Sequence, residues 1–389
     1  MDPIPYGRQD INQADIDAVV AVLRSEFLTQ GPAVNAFEQA VANYCGAQHA
    51  VAVNSATSAL HIACLALGVG PGDLVWTSPI TFVASANCAL YCGASVDFVD
   101  IDPRSYNLSL DSLADKLALA KTAGRLPKVV IPVHLCGQPC DMAAIHALSQ
   151  EYGFSIIEDA SHAIGGYYRD EPIGNCRYSD ITVFSFHPVK IITSGEGGMA
   201  LSNDAALARK MGLLRSHGIT SAPSEMQARP AQEQWNYQQI DLGFNYRMTD
   251  IHAALGLSQM QRLDEFVQQR HAIAACYDQL LSALPVTTPW QHPHSYSGYH
   301  LYVIRLKLDE IPATYRQVYV AMQAAGVQVN LHYIPVYRQP YYEIMGFAPG
   351  YCPQAEDYYA QALSLPLYPG LTQAQQDSII NILKKALLA

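Results

Sequence analysis

Charge is scarce in this chain. Only 15% of its 389 residues are Asp, Glu, Lys or Arg, and acids outnumber bases 34 to 23, for a formal net charge of -11. Without a basic field to neutralise a phosphate backbone, a general nucleic-acid binder is excluded, although local basic residues can still hold a small anion. Long apolar runs are missing too, and none reaches the ~18 residues of a membrane span. The opening Met1-Asp2-Pro3-Ile4-Pro5 lacks the basic and apolar regions of a secretory leader. The nine cysteines (45, 64, 88, 92, 136, 140, 176, 276, 352) are scattered and odd in number. No C-x₂-C pair or H-E-x-x-H occurs, so His134, Cys136 and Cys140, like Cys88 and Cys92, read as core residues and no metal is expected. G-x-G-x-x-G and G-x-x-x-x-G-K-[ST] are also absent, which argues against a dinucleotide or ATP enzyme. A reduced, soluble, cytoplasmic protein is the simplest expectation. Its length suggests two domains or one large domain with an appendage, and its 50% apolar content is ample for a large core.

Two segments carry the chemistry. Ile156-Ile157-Glu158-Asp159-Ala160-Ser161-His162 is an apolar strand ending in a carboxylate and an imidazole. Val183-Phe184-Ser185-Phe186-His187-Pro188-Val189-Lys190 is a second strand ending in an amine, and Gly195-Glu196-Gly197-Gly198 follows as a tight turn. Only 8 of the 23 basic residues are lysines, and none but Lys190 lies between Lys128 and Lys210. A lysine isolated among Phe, Pro, Val and Ile is a poor surface residue and a good candidate for an amine whose pKa is lowered by desolvation. A reactive lysine and an acid at two strand ends is the layout expected for pyridoxal 5'-phosphate (PLP). The lysine forms a Schiff base with the aldehyde, and the acid pairs with the protonated pyridine nitrogen. Read singly, the Asp is a turn residue and the Lys a solvated one.

The chain alternates strand and helix. Asn12 with Asp15 marks a helix start, followed by Ile16, Val19, Val20 and Leu23 at helical spacing. The pattern predicts helices over 34–44, 58–67, 82–91 and 142–152. It predicts strands over 49–53, 74–77, 95–99, 128–134, 154–158, 180–186 and 199–202. Such alternation implies a mostly parallel sheet with helices on both faces and ligands beyond the strand carboxyl ends. Residues 222–239 are polar and read as a loop or flap. A long helix should begin near Met248 and continue past Tyr277. Strands over 299–306 and 327–333 and a helix over 373–388 suggest a smaller α+β unit. The expected division is a large α/β domain, 1–250, and a C-terminal domain, 251–389.

Asn54-Ser55-Ala56-Thr57-Ser58 follows a strand and opens a helix. Its amides and hydroxyls suit a phosphate, although N-capping by Ser55 or Thr57 explains the same residues. Phe82, after the next strand, either stacks on a planar cofactor or packs in the core.

Taken in order, Asp159-Ala-Ser-His162, Ser185-Phe-His-Pro-Val-Lys190, Gly195-Glu-Gly-Gly198 and Gly243-Phe-Asn-Tyr-Arg-Met-Thr-Asp250 resemble the DegT/DnrJ/StrS-type sugar-nucleotide aminotransferases. The likeness covers nearly the whole chain and implies a fold-type I PLP enzyme. A narrower likeness, to the pseudaminic-acid-pathway members, lies in Asn54-Ser-Ala-Thr-Ser-Ala-Leu-His61, Arg215-Ser-His-Gly218 and His332-Tyr-Ile-Pro-Val-Tyr-Arg-Gln-Pro-Tyr-Tyr342. It implies L-glutamate as amino donor and UDP-4-amino-4,6-dideoxy-N-acetyl-β-L-altrosamine as product. Carried over by position, Lys190 binds the cofactor and moves the proton, and Asp159 pairs with the ring nitrogen. Ala56 and Thr57 hold the phosphate with Ser55 beside them, Ser185 lies near the phosphate or the phenolic oxygen, Phe82 stacks on the ring and His162 lies close to it. Asn245 reaches the cofactor of a neighbouring subunit, making a homodimer the functional unit. Tyr6, His187, His217, His332 and Tyr333 are expected near the substrate. Many relatives have Gly at position 56 and Gln at 162. Relatives that act as dehydratases carry His in place of Lys190, so its presence favours transamination. The rival expectations are a sugar aminotransferase of the 4-amino-4-deoxy-arabinose or perosamine type, and a PLP-binding regulator without turnover. No helix-turn-helix or basic patch supports the regulator.

Overall fold

The computed structural model describes residues 3–228 and 233–388. Asn12 and Asp15 form a reciprocal cap, each backbone amide donating to the other's side chain at 3.0 Å. This starts helix α1 (Gln13–Leu23). Helix α2 (Pro32–Cys45) begins on a proline and ends at Gly46 in the left-handed region, φ +78°. The alternation then runs β1 (His49–Val53), α3 (Ala56–Ala66), β2 (Leu74–Thr77), α4 (Ala84–Tyr91), β3 (Ser95–Phe98) and α5 (Leu110–Thr122). It continues through β4 (Val129–Ile131), α6 (Met142–Tyr152) and β5 (Ser155–Asp159), then a hairpin of β6 (Tyr167–Tyr168) and β7 (Glu171–Pro172). Strands β8 (Ile181–Ser185) and β9 (Gly198–Ser202) and helix α7 (Ala205–Leu214) complete the large unit's regular elements up to that point.

Seven strands form one sheet in the order β1-β9-β8-β5-β4-β2-β3. From β3 across to β8 all pairs are parallel, whereas β9 runs antiparallel to both β8 and β1. Alternate side chains leave the sheet on opposite faces. Ile181, Val183 and Ala200 pack with Ala59, Leu60 and Ile62 of α3. Phe184, Met199 and Leu201 pack instead with Phe37 and Val41 of α2 and with Phe266 and Val267. Both faces are covered, which is why β8 and β9 are buried at every residue.

The segment expected as a flap is closed at its base by a two-stranded ladder of β10 (Ile219–Thr220), just before it, and β11 (Gln238–Gln239), at its end; residues 229–232, with Pro230, lie outside the described residues. Two other expectations change. The long helix predicted from Met248 is two helices, α8 (Asp250–Met260) and α9 (Leu263–Leu281). The break falls where Arg262 leaves helical geometry (φ -113°, ψ 7°) and pairs with Asp10 and Asp15. Residues 327–333 are not a strand. Val327 and Asn330 form isolated bridges to Ile4 and Ser364, and the chain then turns toward the cavity described below.

The C-terminal elements are β12 (Val286–Thr287), β13 (Ser295–Tyr296), β14 (Tyr302–Leu306), α10 (Tyr315–Ala324), α11 (Pro340–Glu343), α12 (Pro353–Gln361), β15 (Ala362–Leu365) and α13 (Gln373–Leu387). The antiparallel sheet β12-β14-β15 has its own core, with Tyr277, Val318, Met322, Ile379 and Leu383. Ile4 joins this second core, while α8 lies against α1 and α2. We propose the division into units 1–250 and 251–389, with α8 and the start of α9 packing on the large sheet's side of that boundary.

Candidate active site

A cavity of about 930 Å³ opens beyond the carboxyl ends of the parallel strands. Its walls come from the β1–α3 turn, the β2–α4 turn, the end of β5, the loop after β8 and residues 330–333.

Asp159 is the last residue of β5 and is 5% exposed. Its carboxylate accepts from Ser85 Oγ at 2.6 Å and from the Ser161 amide at 3.1 Å, and the Ser85 hydroxyl lies 2.7 Å from that of Thr81. Two fixed donors therefore orient the acid. Lys190 lies five residues beyond the end of β8, not at the strand end as expected, in a turn closed by its amide to His187 O (2.9 Å). Among the described residues its Nζ has no hydrogen-bond or ion-pair partner. Part of its surface opens into the cavity, yet the protein surrounds it closely. Burial pushes the amine down to about 8, against the opposing pull of Asp159.

Helix α3 starts on the cavity wall. Ser55 caps it by accepting from the Ser58 amide at 3.2 Å, and Ser58 Oγ donates to Asn54 Oδ1 at 2.6 Å. The Ala56 and Thr57 amides have no acceptor among the described residues. Gly198 presses against this turn, where an added Cβ would lie 2.4 Å from Ala56 N. This set of groups fits PLP: an unpartnered amine, an oriented carboxylate in the same cavity, two free amides at a helix N-terminus and an aromatic, Phe82, on the wall.

Imidazoles line the rest. His162 accepts from the Cys136 amide at Nδ1 (3.3 Å), its Nε2 is 3.2 Å from the Tyr333 hydroxyl, and its ring centroid is 4.4 Å from that of His300. His332 Nδ1 is 2.8 Å from Ser364 Oγ, and its ring lies 5.2 Å from that of Tyr6. Burial first, then Lys190, pushes His332 down to about 3, and the same causes hold His162 well below the usual histidine range. His187 is exposed, its Nε2 4.0 Å from Glu196.

Of the expected site residues, Tyr6, Ser55, Ala56, Thr57, Phe82, Asp159, His162, Ser185, His187, Lys190, His332 and Tyr333 share the cavity wall. His217 and Asn245 do not. Both are exposed on neighbouring segments, where the His217 amide donates to Phe244 O (2.9 Å) and Ser216 bridges Asn245. Sequence reasoning missed Ser85, His300 and Asn330. Ser85 offers no local signal, because only folding brings it to Asp159. His300, an imidazole at the start of an apolar strand, was the one that pattern alone could have flagged.

Residues 9–384 match the model of the DegT/DnrJ/EryC1/StrS aminotransferase family. The chain belongs to this family. It is an aminotransferase, and aminotransferases of the family work with PLP. Relatives include the UDP-4-amino-4,6-dideoxy-N-acetyl-β-L-altrosamine transaminase of Campylobacter jejuni, 36% identical over 98% of this chain and 98% of the relative. The GDP-perosamine synthase of Caulobacter vibrioides is 38% identical over 90% of this chain and 89% of its own. Among solved structures, Helicobacter pylori PseC, an aminotransferase involved in pseudoaminic acid biosynthesis, superposes with a TM-score of 0.89 at 29% identity, covering 99% of both chains. A putative sugar aminotransferase from Streptococcus pneumoniae in its PLP form gives 0.87 at 28% identity, over 99% of this chain and 100% of its own.

Proposed function

We propose that this aminotransferase transfers the amino group of L-glutamate to C4 of a UDP-linked 4-keto-6-deoxy-N-acetyl hexose, giving UDP-4-amino-4,6-dideoxy-N-acetyl-β-L-altrosamine. The observation that carries the reaction class is the unpartnered Lys190 amine in one cavity with the doubly oriented Asp159 carboxylate. The sugar assignment is supported by the Campylobacter relative named for that transaminase, by the likeness to an aminotransferase of pseudoaminic acid biosynthesis and by the His332-Tyr333 segment on the cavity wall.

When bound, PLP supplies an electron sink for the carbanion formed at the donor or sugar carbon. Lys190 would hold its aldehyde, and Asp159 would face its ring nitrogen. The Ala56 and Thr57 amides, with Ser55 and Ser185 beside them, would take the phosphate. Phe82 and His162 would flank the ring. Once free, the Lys190 amine removes the α-proton of glutamate and later returns a proton to C4 of the sugar. Its lowered pKa suits both directions near neutral pH. Tyr6, His187, His332 and Tyr333 surround the space left for the sugar. His217 and Asn245 lie outside this cavity, and we assign them to the site of a partner subunit in a homodimer. The perosamine-type alternative is favoured by the comparable identity of the Caulobacter relative.

Incubating the enzyme with glutamate and each candidate 4-keto sugar nucleotide, followed by product NMR, separates the two. An amino product from the UDP-N-acetyl substrate alone is the expected result. Turnover only with the GDP sugar overturns the substrate assignment.

A further inference from the structure

Arg270, on α9, is enclosed almost completely, with 1% of its surface exposed. Among the described residues no carboxylate pairs with it. Its Nη1 donates to three backbone carbonyls, of Tyr299 (3.1 Å), His300 (3.2 Å) and Leu367 (3.2 Å), while its Nε has no partner. Burying a cation this way is unfavourable, and burial pushes even this guanidinium down to about 10. Such a group calls for a reason beyond filling space.

The three carbonyls supply one. Two belong to the turn that leads into β14, where Tyr299 sits in the left-handed region at φ +45° and His300 reaches the cavity wall. The third belongs to Leu367, whose amide donates to Tyr6 O at 3.0 Å, so the same guanidinium steadies a second wall segment. The His300 ring is 4% exposed and packs on His162. Its Nδ1 is buried with no partner, so a second ring proton would have no acceptor and the imidazole stays neutral. His162 is fixed from its other side. The Cys136 amide donates to His162 Nδ1, which therefore carries no proton, and the ring proton sits on Nε2, directed at the Tyr333 hydroxyl.

We propose that Arg270 is a positioning residue: by clamping the Tyr299–His300 turn it makes His300 hold the His162 ring, in its Nε2–H form, at the cavity wall beside Lys190. The titratable groups facing His162 are Lys190, His300, His332, Tyr333 and Cys136, with Asp159 three residues earlier on the same segment. Burial, then Lys190 and His332, disfavours the charged ring. With that tautomer held, the Tyr333 hydroxyl accepts a hydrogen bond from His162 Nε2–H, and its own proton is left to be donated toward a ligand oxygen. This consequence rests on the cavity being the aminotransferase site; the clamp itself does not.

The test is nitrogen NMR of the full-length holoenzyme labelled with ¹⁵N-histidine, with His162 assigned by its loss in His162→Gln. The wild type should show only the Nε2–H form of His162, without titration between about pH 6 and 8. Arg270→Met and His300→Leu should each give a tautomer mixture that titrates. They should also lower the glutamate half-reaction rate on the order of 10²-fold, the scale of an ångström-sized misplacement. Arg270→Lys, which keeps a cation near the carbonyls, should restore most of both. If Arg270→Met does not fold, His300→Leu decides alone. Unchanged His162 resonances in the variants that fold overturn the proposal. The wild-type half-reaction with glutamate separately tests the aminotransferase reading, so the two failures are distinct.

Discussion

At the scale of single residues, the account turns on an amine and an acid that fold into one cavity without neutralising each other. Lys190→Ala should abolish turnover while PLP still binds noncovalently, as absorbance and dialysis would show. The pH dependence follows from the direction of the amine's shift. Lys190 is pushed from 10.5 to about 8, so the folded protein holds fewer protons than the unfolded chain between those values. Stability of the cofactor-free protein should therefore rise with pH across that window, the penalty being fully present below pH 8. Capture of added PLP should accelerate through about pH 8, because only the neutral amine attacks the aldehyde. A capture rate flat from neutral to alkaline pH would contradict the shift. Asp159→Ala should slow the glutamate half-reaction by about 10²-fold or more. Ser85→Ala removes the 2.6 Å bond to the same carboxylate and should slow it by roughly tenfold, the scale typical of an outer-shell partner. Stopped-flow absorbance would rank the two, and equal losses would give Ser85 a direct role. Asp159 and Lys190 were legible in the sequence because each lies near a strand end, where an α/β sheet gathers its ligands. Ser85 was not, since it lies 74 positions from Asp159 and reveals itself only through α4 packing beneath the cavity.

At the scale of elements, alternating apolar runs separated by glycines made nearly every strand of the large sheet readable. The antiparallel sense of β9 was not, since a strand buried on both faces carries the same apolar run in either direction. The break between α8 and α9 was hidden because apolar spacing continues through it; what stops the helix is the distant pairing of Arg262 with Asp10 and Asp15. Helix α5 escaped notice because only Leu113 and Leu117 of it are buried, too few for an apolar stripe. The contact between β9 and the first turn of α3 gives the sharpest test at this level. Gly198→Ala puts a methyl group 2.4 Å from both Ala56 N and the Ser55 carbonyl carbon, so the backbone must move apart. The expected result is a loss of about 1–3 kcal/mol in stability, from melting curves, together with weaker PLP binding. Unchanged PLP affinity in a folded Gly198→Ala protein would show that the α3 amides do not hold the phosphate.

At the scale of the whole molecule, the question is what completes the site. His217 and Asn245 share a surface strip outside the cavity of their own chain, next to exposed Tyr237, Ile240 and Leu242. A two-fold dimer would bring that strip to a partner's cavity and place two shared sites about the axis. Lys190→Ala and Asn245→Ala should each be inactive as homodimers. A mixed dimer of the two contains one site with both native residues and should recover about half of wild-type activity per dimer, as the symmetry of two shared sites requires. Mixed dimers that form and recover nothing would assign Asn245 to the fold of its own chain. Nothing in the order of residues reveals a partner's reach, so the proposed role of Asn245 in a partner's site rests on the family resemblance alone.

The most direct measurement is borohydride reduction of the purified holoenzyme followed by peptide mapping. The account predicts loss of the cofactor's absorbance band and a single pyridoxyl adduct on the peptide containing Lys190. An adduct on any of the other seven lysines would contradict it.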